Sequence, residues 1–407
     1  MKTKPKKESY LYPCNLPGLK IVRTDDVYLY DENNKKYVDL SASAGVVAVG
    51  YNSHRMKEVM RRQAEKNIFS PQLQETSESI LLAKKILGLF PAGFDSVLRA
   101  TTGSEAVEIA MKIAARQTGR SKFLSFKGAY HGHTFAAMSL GGENRLTKEF
   151  TPILARFATI KHPSSLNKGR ALPADFKKTL KSIEKELKRG GCAGFVAEGV
   201  VTSAGCFNFP DGFFKEVLKM CRRYGTLLIF DEVLTGFGRT GKMFSFEHFS
   251  ICPDMVCLAK GLGSGYAPIS AVVSRKELIG NFVYMSTFAW SPLACAVALE
   301  NINIIEEEKL AKNSCDLGRL TLGFLKKSLS KNKAVKEIRG KGLIIAIEFF
   351  NNNDARKIFN DCLKKGVLLF KNYSDNMLFV QPPLNIRKNI LNKALGTVIG
   401  SINENFG

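Results

Sequence analysis

The hydrophobic positions change period along this chain, and the changes mark out its elements. In VYLYDENNKKYVDL, residues 27–40, apolar runs flank the turn signal Asp31–Asn34, which predicts two short strands. From about Ser53 to Leu89 apolar residues recur at helical spacing, in HRMKEVMRRQAEKN and ESILLAKKILGLF. Strand-like and helical stretches then alternate. SVLRA, KFLSF, AGFVAEGV, TLLIF and MVCLA read as strands, and SEAVEIAMKIAARQ reads as the helix after the first. Such alternation predicts an α/β sheet covered by helices. The unbroken apolar run Leu227 to Phe230 suits a strand buried on both faces. After Trp290-Ser291-Pro292 a long helical pattern runs through LACAVALENINIIEEEKLAK. GLIIAIEFF, GVLLF and NMLFVQPPLNI then predict a smaller α+β unit in the C-terminal third.

Composition narrows the function classes. A chain of 407 residues has room for two or three domains and a sizeable core. Apolar residues are 45% and charged residues 24%, an ordinary globular balance, and no apolar run is long enough to span a membrane. The N-terminal segment MKTKPKKESYLYPCNLPG is basic but has no apolar core, so it is not read as a secretory signal. Arginine and serine are too sparse there for a transit peptide, and a cytoplasmic location is expected. Nine scattered cysteines with no CxxC pair read as reduced, mostly small core residues, and five histidines form no zinc constellation. The net charge of +23 comes from lysines interleaved with acids on helical patterns, as in FKKTLKSIEKELKRGG, not from one basic stripe. That is a solvated surface, with no nucleic-acid partner expected.

Three places carry candidate chemistry. RATTGSEAVEIAMKIAARQ ends a strand near Ala100, turns at Gly103 and opens a helix at Ser104. The free N–H groups of a helix start make an anion site, and Gly103 permits close approach. A plain serine-capped helix explains the same residues. Asp231 ends an apolar strand, where ligands of open α/β sheets bind, with Glu232 beside it equally available. Lys260, in DMVCLAKGLGSGY, follows another apolar run 29 residues later and is surrounded by Gly261, Gly263 and Gly265. A lysine to form a Schiff base with an aldehyde, and a carboxylate to keep a ring nitrogen protonated, are what pyridoxal phosphate requires. A lone lysine after a strand is ordinarily a solvated edge residue. Tyr130, in KGAYHGH, is placed to stack on one ring face, and Val233 to press the other; an aromatic loop and a core valine are the plainer readings.

With these residues in order, the chain resembles the class III aminotransferases, among the fold type I pyridoxal-phosphate enzymes. The likeness runs from about residue 20 to 400. Its densest parts are TTGSEAVEIAMKIAARQTGRSKFLSFKGAYHGHTFAAMSL, LLIFDEVLTGFGRTGKMFSFEHFSICPDMVCLAKGLGSGYAPISAVV, STFAWSPLACAVAL and IRGKGLIIAIEF. The resemblance implies an α/β fold with a large domain on a mostly parallel seven-stranded sheet and a smaller α+β domain. Residues 1–55 would contribute to the small domain, 56–300 form the large one, and 301–407 complete the small one. It implies Lys260 as Schiff-base lysine and later free base, Asp231 at the ring nitrogen, and Tyr130 and Val233 about the ring. It also implies Gly103 and Ser104 at the phosphate. Thr287 would reach the cofactor phosphate of the other subunit in a homodimer with shared active sites. A small-molecule amino donor and a carbonyl acceptor would react by ping-pong kinetics.

The chain departs from that pattern in its substrate residues. Ornithine-type members carry a glutamate that gates a carboxylate-binding arginine. Glu198 matches the acid that precedes the gate, but Ser203 stands at the gating glutamate and Phe379 at the arginine. Phenylalanine cannot hold a carboxylate bidentately. Leu234 replaces a glutamine, and Phe379, Trp290 and Phe288 would suit an amine or a larger amino substrate. Trp290 is otherwise read as dimer packing, and Arg239 as a substitute carboxylate anchor or a structural salt bridge. The expected activity is amino transfer. An intramolecular aminomutase of the glutamate-1-semialdehyde type, or an epimerase, would share the same cofactor residues. A non-catalytic regulator of this fold would carry a DNA-binding domain, for which about 20 preceding residues leave no room.

Overall fold

The computed structural model describes residues 19–71, 74–142, 147–163, 166–167, 170–171, 173–371 and 376–407. The basic N-terminal segment discussed above lies outside them. The first of two seven-stranded sheets runs, in spatial order, Ser96–Ala100, Ser270–Ser274, Met255–Leu258, Leu227–Asp231, Cys192–Ala197, Lys122–Phe126 and Ala158–Ile160. Its pairings are parallel except those of Ser270–Ser274, which is antiparallel to both neighbours. This is the mostly parallel sheet expected from the alternating pattern. Every residue of Cys192–Ala197 and of Met255–Leu258 is buried, because helices cover both faces. The helix Gly103–Thr118 packs its Ala106, Ile109, Ala110 and Ile113 on one face. Phenylalanines 126, 195, 213, 214 and 230 fill the other, in tilted and edge-on pairs.

The second sheet joins the two ends of the chain. Its order is Ile21–Asp25, Tyr28–Asp31, Lys36–Leu40, Val367–Lys371, Met377–Val380, Ile345–Phe349 and Val335–Gly340. Val38 pairs in parallel with Val367, so residues far apart in sequence become adjacent strands. Two local readings need correction. The strand Ser270–Ser274, which inserts between Ser96–Ala100 and Met255–Leu258, gave no separate periodic signal. The single long helix expected after Pro292 is two helices, Pro292–Glu307 and Leu310–Ser328, broken at Lys309 with φ +53°. The eight described cysteines are all free, and six of them are buried. No helix among the described residues is long and apolar enough to cross a membrane.

The break turns the second helix onto the loop before Ile345, one edge of the cavity described below. Ser314 donates to the Arg239 carbonyl at 2.8 Å and accepts from Leu343 N at 3.0 Å. A Cβ at Gly318 would stand 2.6 Å from the Cα of Gly342 and closer still to its carbonyl. Gly318→Ala should therefore lower stability by about 1–3 kcal/mol, through a backbone clash that no rotamer relieves. Gly323→Ala, on the same helix with open space around the new methyl, should instead raise it by roughly 0.5–1 kcal/mol. Urea denaturation midpoints of the two variants check the pair.

Candidate active site

The parallel register brings the polar residues together. Phe230 pairs with Ala197 and Asp231 with Cys257, so Asp231, Glu198 and the segment leading to Lys260 leave the sheet at neighbouring strand ends. A cavity of about 1040 Å³ opens there, lined by Gly103, Ser104, Tyr130, Asp231, Val233 and Lys260 among others. Six of the seven sequence-predicted residues thus meet in one space. Thr287, the seventh, does not line it; it is exposed, next to Ser286, whose hydroxyl lies 3.3 Å from that of Thr101 at the cavity wall.

The anion end begins at the helix start. Thr102 caps it by accepting from Glu105 N, while Glu105 accepts from the N–H of Thr101 and Thr102. The first-turn N–H groups of Gly103 and Ser104 have no intrahelical partner and face a cavity at the positive end of the helix dipole. Ser104 Oγ accepts from His133 N at 3.1 Å, which leaves its own proton to donate. Gly103 is required by space: a Cβ there would sit 2.9 Å from Val233 Cγ1. Gly132 presses still closer on Ser104, at φ +139°. The sequence had singled out Gly103 but missed Gly132.

Asp231 is nearly fully buried. Its Oδ1 accepts from Val233 N at 2.9 Å, and its Oδ2 lies 2.7 Å from His131 Nδ1. Burial works against a charged imidazole, but the Asp231 hydrogen bond and the charges of Asp231 and Glu198 hold His131 above its usual range. Glu232 does not compete for the ring position. It points away from the cavity, bonded to Thr235, Ser245 and Phe246 N, and burial pushes its carboxyl up to about 7. Lys260 sits in a left-handed backbone turn, φ +40°, which Asn301 braces by donating to the Gly261 and Leu262 carbonyls. Burial lowers its ammonium pKa, opposed by Asp231 and Glu198 and assisted by Arg239. A lysine eased toward its neutral form is a nucleophile and a base.

The substrate side differs from part of what the sequence indicated. Ser203 and Phe379 do line the cavity, with Leu234, Ile344, Phe370 and Met377. Among the described residues Arg239 pairs with no carboxylate, and it does not line the cavity. It is buried, and it donates to the carbonyls of Leu343, Pro382 and Val47 at 3.1, 2.5 and 3.3 Å. Burial lowers its pKa to about 9. Trp290 is not in the cavity or on the surface; it is a core residue whose Nε1 donates to Ser270 O at 2.8 Å. Phe288 is 69% exposed and packs its ring 5.6 Å from that of Phe69. One wall was not anticipated at all. Ala42, Ser43, Ala44 and Gly45 all have positive φ, a left-handed turn that brings Ala44 to the cavity. Each non-glycine residue in it costs about 1–2 kcal/mol. Asp39 holds the turn, accepting from Ser41 N, Ser41 Oγ, Ala42 N and Tyr51 OH. The small-residue run SASAG was the available signal.

An anion cup, a buried carboxylate with an imidazole behind it, and a lysine with a lowered pKa in one cavity fit pyridoxal phosphate. They define a pyridoxal-phosphate enzyme. Residues 13–401 match the family described as Aminotransferase class-III, and the chain belongs to that family. It is 35% identical over 382 residues to the acetylornithine aminotransferase of Archaeoglobus fulgidus, covering 92% of this chain and 93% of the relative. An (S)-enantioselective omega-transaminase from Thermomicrobium roseum superposes with a TM-score of 0.90 at 29% identity, over 97% of this chain and 96% of that one. The ornithine aminotransferase of Toxoplasma gondii, described with pyridoxal phosphate at its active site, superposes with a TM-score of 0.86 at 27% identity, over 96% and 91%. The chain is therefore a pyridoxal-phosphate-dependent aminotransferase. Nothing in these likenesses supports the aminomutase or epimerase reading.

Gly103→Ala should displace Val233 and crowd the cavity at the helix start. The expected result is weaker cofactor retention, by roughly 10-fold or more for about 1.4 kcal/mol of displaced contact. Fluorescence titration of cofactor-free protein with pyridoxal phosphate measures it.

Proposed function

We propose that Lys260 carries the cofactor as a Schiff base and serves as the proton-transfer base of amino transfer. The observation that carries this reading is the meeting of Lys260, Asp231 and the Gly103–Ser104 helix start in one cavity. Ser104 and the first-turn N–H groups hold the phosphate. Asp231 faces the ring nitrogen, with Tyr130 and Val233 on the two ring faces. Bound there, pyridoxal phosphate supplies an electron sink for the pair left when the substrate α-carbon loses its proton. Lys260 Nζ takes that proton and returns it; its lowered pKa lets the neutral amine be present when needed.

The working form in this reading is a cytoplasmic homodimer with shared active sites. Residues 56–300 form the large domain, and residues 1–55 and 301–407 the small one, in keeping with the division of strands between the two sheets. Support for the dimer comes from the segment that bears Thr287. Val283, Met285 and Phe288 stand 77%, 58% and 69% exposed there, beside Phe69 at 48%. Apolar side chains so placed call for a covering surface. A second copy that covers them would bring Thr287 to its partner's phosphate.

The donor in this reading is an amine, or an amino compound bound through an apolar group. Among the described residues lining the cavity, the basic side chains are Lys260 and His131 alone. Arg339 lies behind Met377 but is already paired with Glu337 and Glu348 at 2.8 and 2.6 Å, and donates to Gly205 O. A carboxylate beside Phe379 would lose its hydration with no cation in return.

Lys260→Ala should abolish borohydride-fixable cofactor and slow amino transfer by roughly 10²–10⁴-fold or more, while phosphate-end binding persists. Fixation at another lysine would sink the assignment. Phe379→Arg should shift preference toward carboxylate-bearing donors by about 10-fold, the value of one charge-assisted pair near 1.4 kcal/mol. Competing an apolar amine against ornithine on both proteins, with the spectral change of the bound cofactor as readout, measures it. Efficient turnover of ornithine or acetylornithine by the unaltered protein would refute the apolar-donor reading.

A further inference from the structure

Among the described residues, two buried polar atoms of the residues lining this cavity have no hydrogen-bond partner: Nε2 of His131 and Oε1 of Glu198. Their other atoms are committed. His131 Nδ1 lies 2.7 Å from Asp231 Oδ2, and Glu198 Oε2 accepts from Thr202 N at 3.2 Å and Thr202 Oγ1 at 2.5 Å. A neutral His131 with its proton toward Asp231 has an acceptor lone pair at Nε2, and only the acid form of Glu198 has a proton to offer it. The two orphan atoms are not bonded to each other, but both residues line the cavity and each feels the other's charge, and buried polar atoms of this kind are ordinarily satisfied by water.

The strand register explains why these groups reach the same cavity. Ala197 pairs with Phe230, so the next residues, Glu198 and Asp231, end adjacent strands side by side. The strand Lys122–Phe126 borders Cys192–Ala197 on its other side and leads to His131. We propose that Glu198 is a positioning residue that shares one proton with His131 across a buried water, and so maintains the His131–Asp231 hydrogen bond that orients Asp231 toward the ring nitrogen. The proposal rests on the reading above that Asp231 faces that nitrogen.

The step balances. A proton leaves Glu198 Oε1 for the water as another leaves the water for His131 Nε2; carboxyl and imidazole become carboxylate and imidazolium. Total charge is unchanged, which matters where an uncompensated charge is costly. Glu198 also feels Asp231 and Lys260 from the neighbouring strand ends, and the Thr202 hydroxyl and Cys206 thiol on its own hairpin. Burial raises its carboxyl to about 7, eased by His131 and reinforced by Asp231, while Asp231 and Glu198 together hold the His131 imidazolium above its usual range. In the bland alternative Glu198 only pins the hairpin through Thr202.

The test is a histidine-ring NMR titration of cofactor-free, full-length protein, with His131 identified by the signal lost in His131→Asn. The unaltered protein should show a two-step His131 titration, the mark of coupled sites. Glu198→Gln keeps a donor but loses the titratable charge. It should give one step, with a midpoint about 1 unit lower, because a nearby anion no longer favours imidazolium. Thr202→Val retains Glu198 but removes a bond that favours its carboxylate, so it should lower the midpoint by a smaller amount; it decides the matter if Glu198→Gln does not fold. Identical His131 titrations in the three proteins, or in the unaltered and Thr202→Val proteins alone, would overturn the proposal. A shifted titration without any amino transfer would count against the functional reading. An unchanged titration with amino transfer intact would count against this inference alone.

Discussion

The register of the central parallel strands is the constraint on which the site depends. Asp231 pairs with Cys257 and Phe230 with Ala197, so one level of the sheet delivers Asp231, Glu198 and, after a short turn, Lys260. A slip of one residue would turn each of these side chains to the opposite face. Continuous apolar strands pin the register, because Val196, Ile229, Val256 and Cys257 are wholly buried and have no tolerable alternative. The same helix that buries one sheet face, Gly103–Thr118, begins at the cavity and offers its first N–H groups there. Packing and anion recognition are thus two ends of one element.

The site also shows how burial sorts like residues into different tasks. Asp231 and Glu232 are sequence neighbours at a strand end, and alternation sends them to opposite faces. One meets an imidazole and the cavity; the other is surrounded by hydroxyls and a backbone N–H in the core. Two buried arginines divide similarly. Arg339 balances its charge against two carboxylates, whereas Arg239 donates to carbonyls, and burial lowers its pKa against the more distant pull of Asp39. Neither offers a free guanidinium to a substrate.

Much of this was legible because the informative signals are local. An apolar run ending in Asp231, another ending in Lys260, and a Thr-Gly-Ser start to a helix each announce themselves within a few residues. What stayed hidden depends on distant partners. The strand Ser270–Ser274 is defined by the two neighbours it separates. The fate of Arg239 is set by carbonyls at Val47, Leu343 and Pro382, which no spacing rule connects to it. Trp290 looked like a surface or site aromatic because tryptophan suits both; its indole N–H found a buried carbonyl instead. The break at Lys309 was masked by good helix formers on both sides.

The left-handed turn Ala42–Gly45 shows how the chain's far ends enter the chemistry. Four successive positive φ values do not persist in an unsupported loop. Here Asp39 grips the start of the turn, and Arg239 holds the Val47 carbonyl just beyond it. Gly45 leaves no room for a side chain, since a Cβ would lie 2.6 Å from Leu234 Cδ1. The turn therefore abuts the residue three positions after Asp231. Arg239 also holds Leu343, next to Ile344, and Pro382, just beyond the strand that carries Phe379. One buried guanidinium thus ties together three walls of the substrate end, from segments hundreds of residues apart. A side chain committed to backbone carbonyls shapes the apolar end of the cavity.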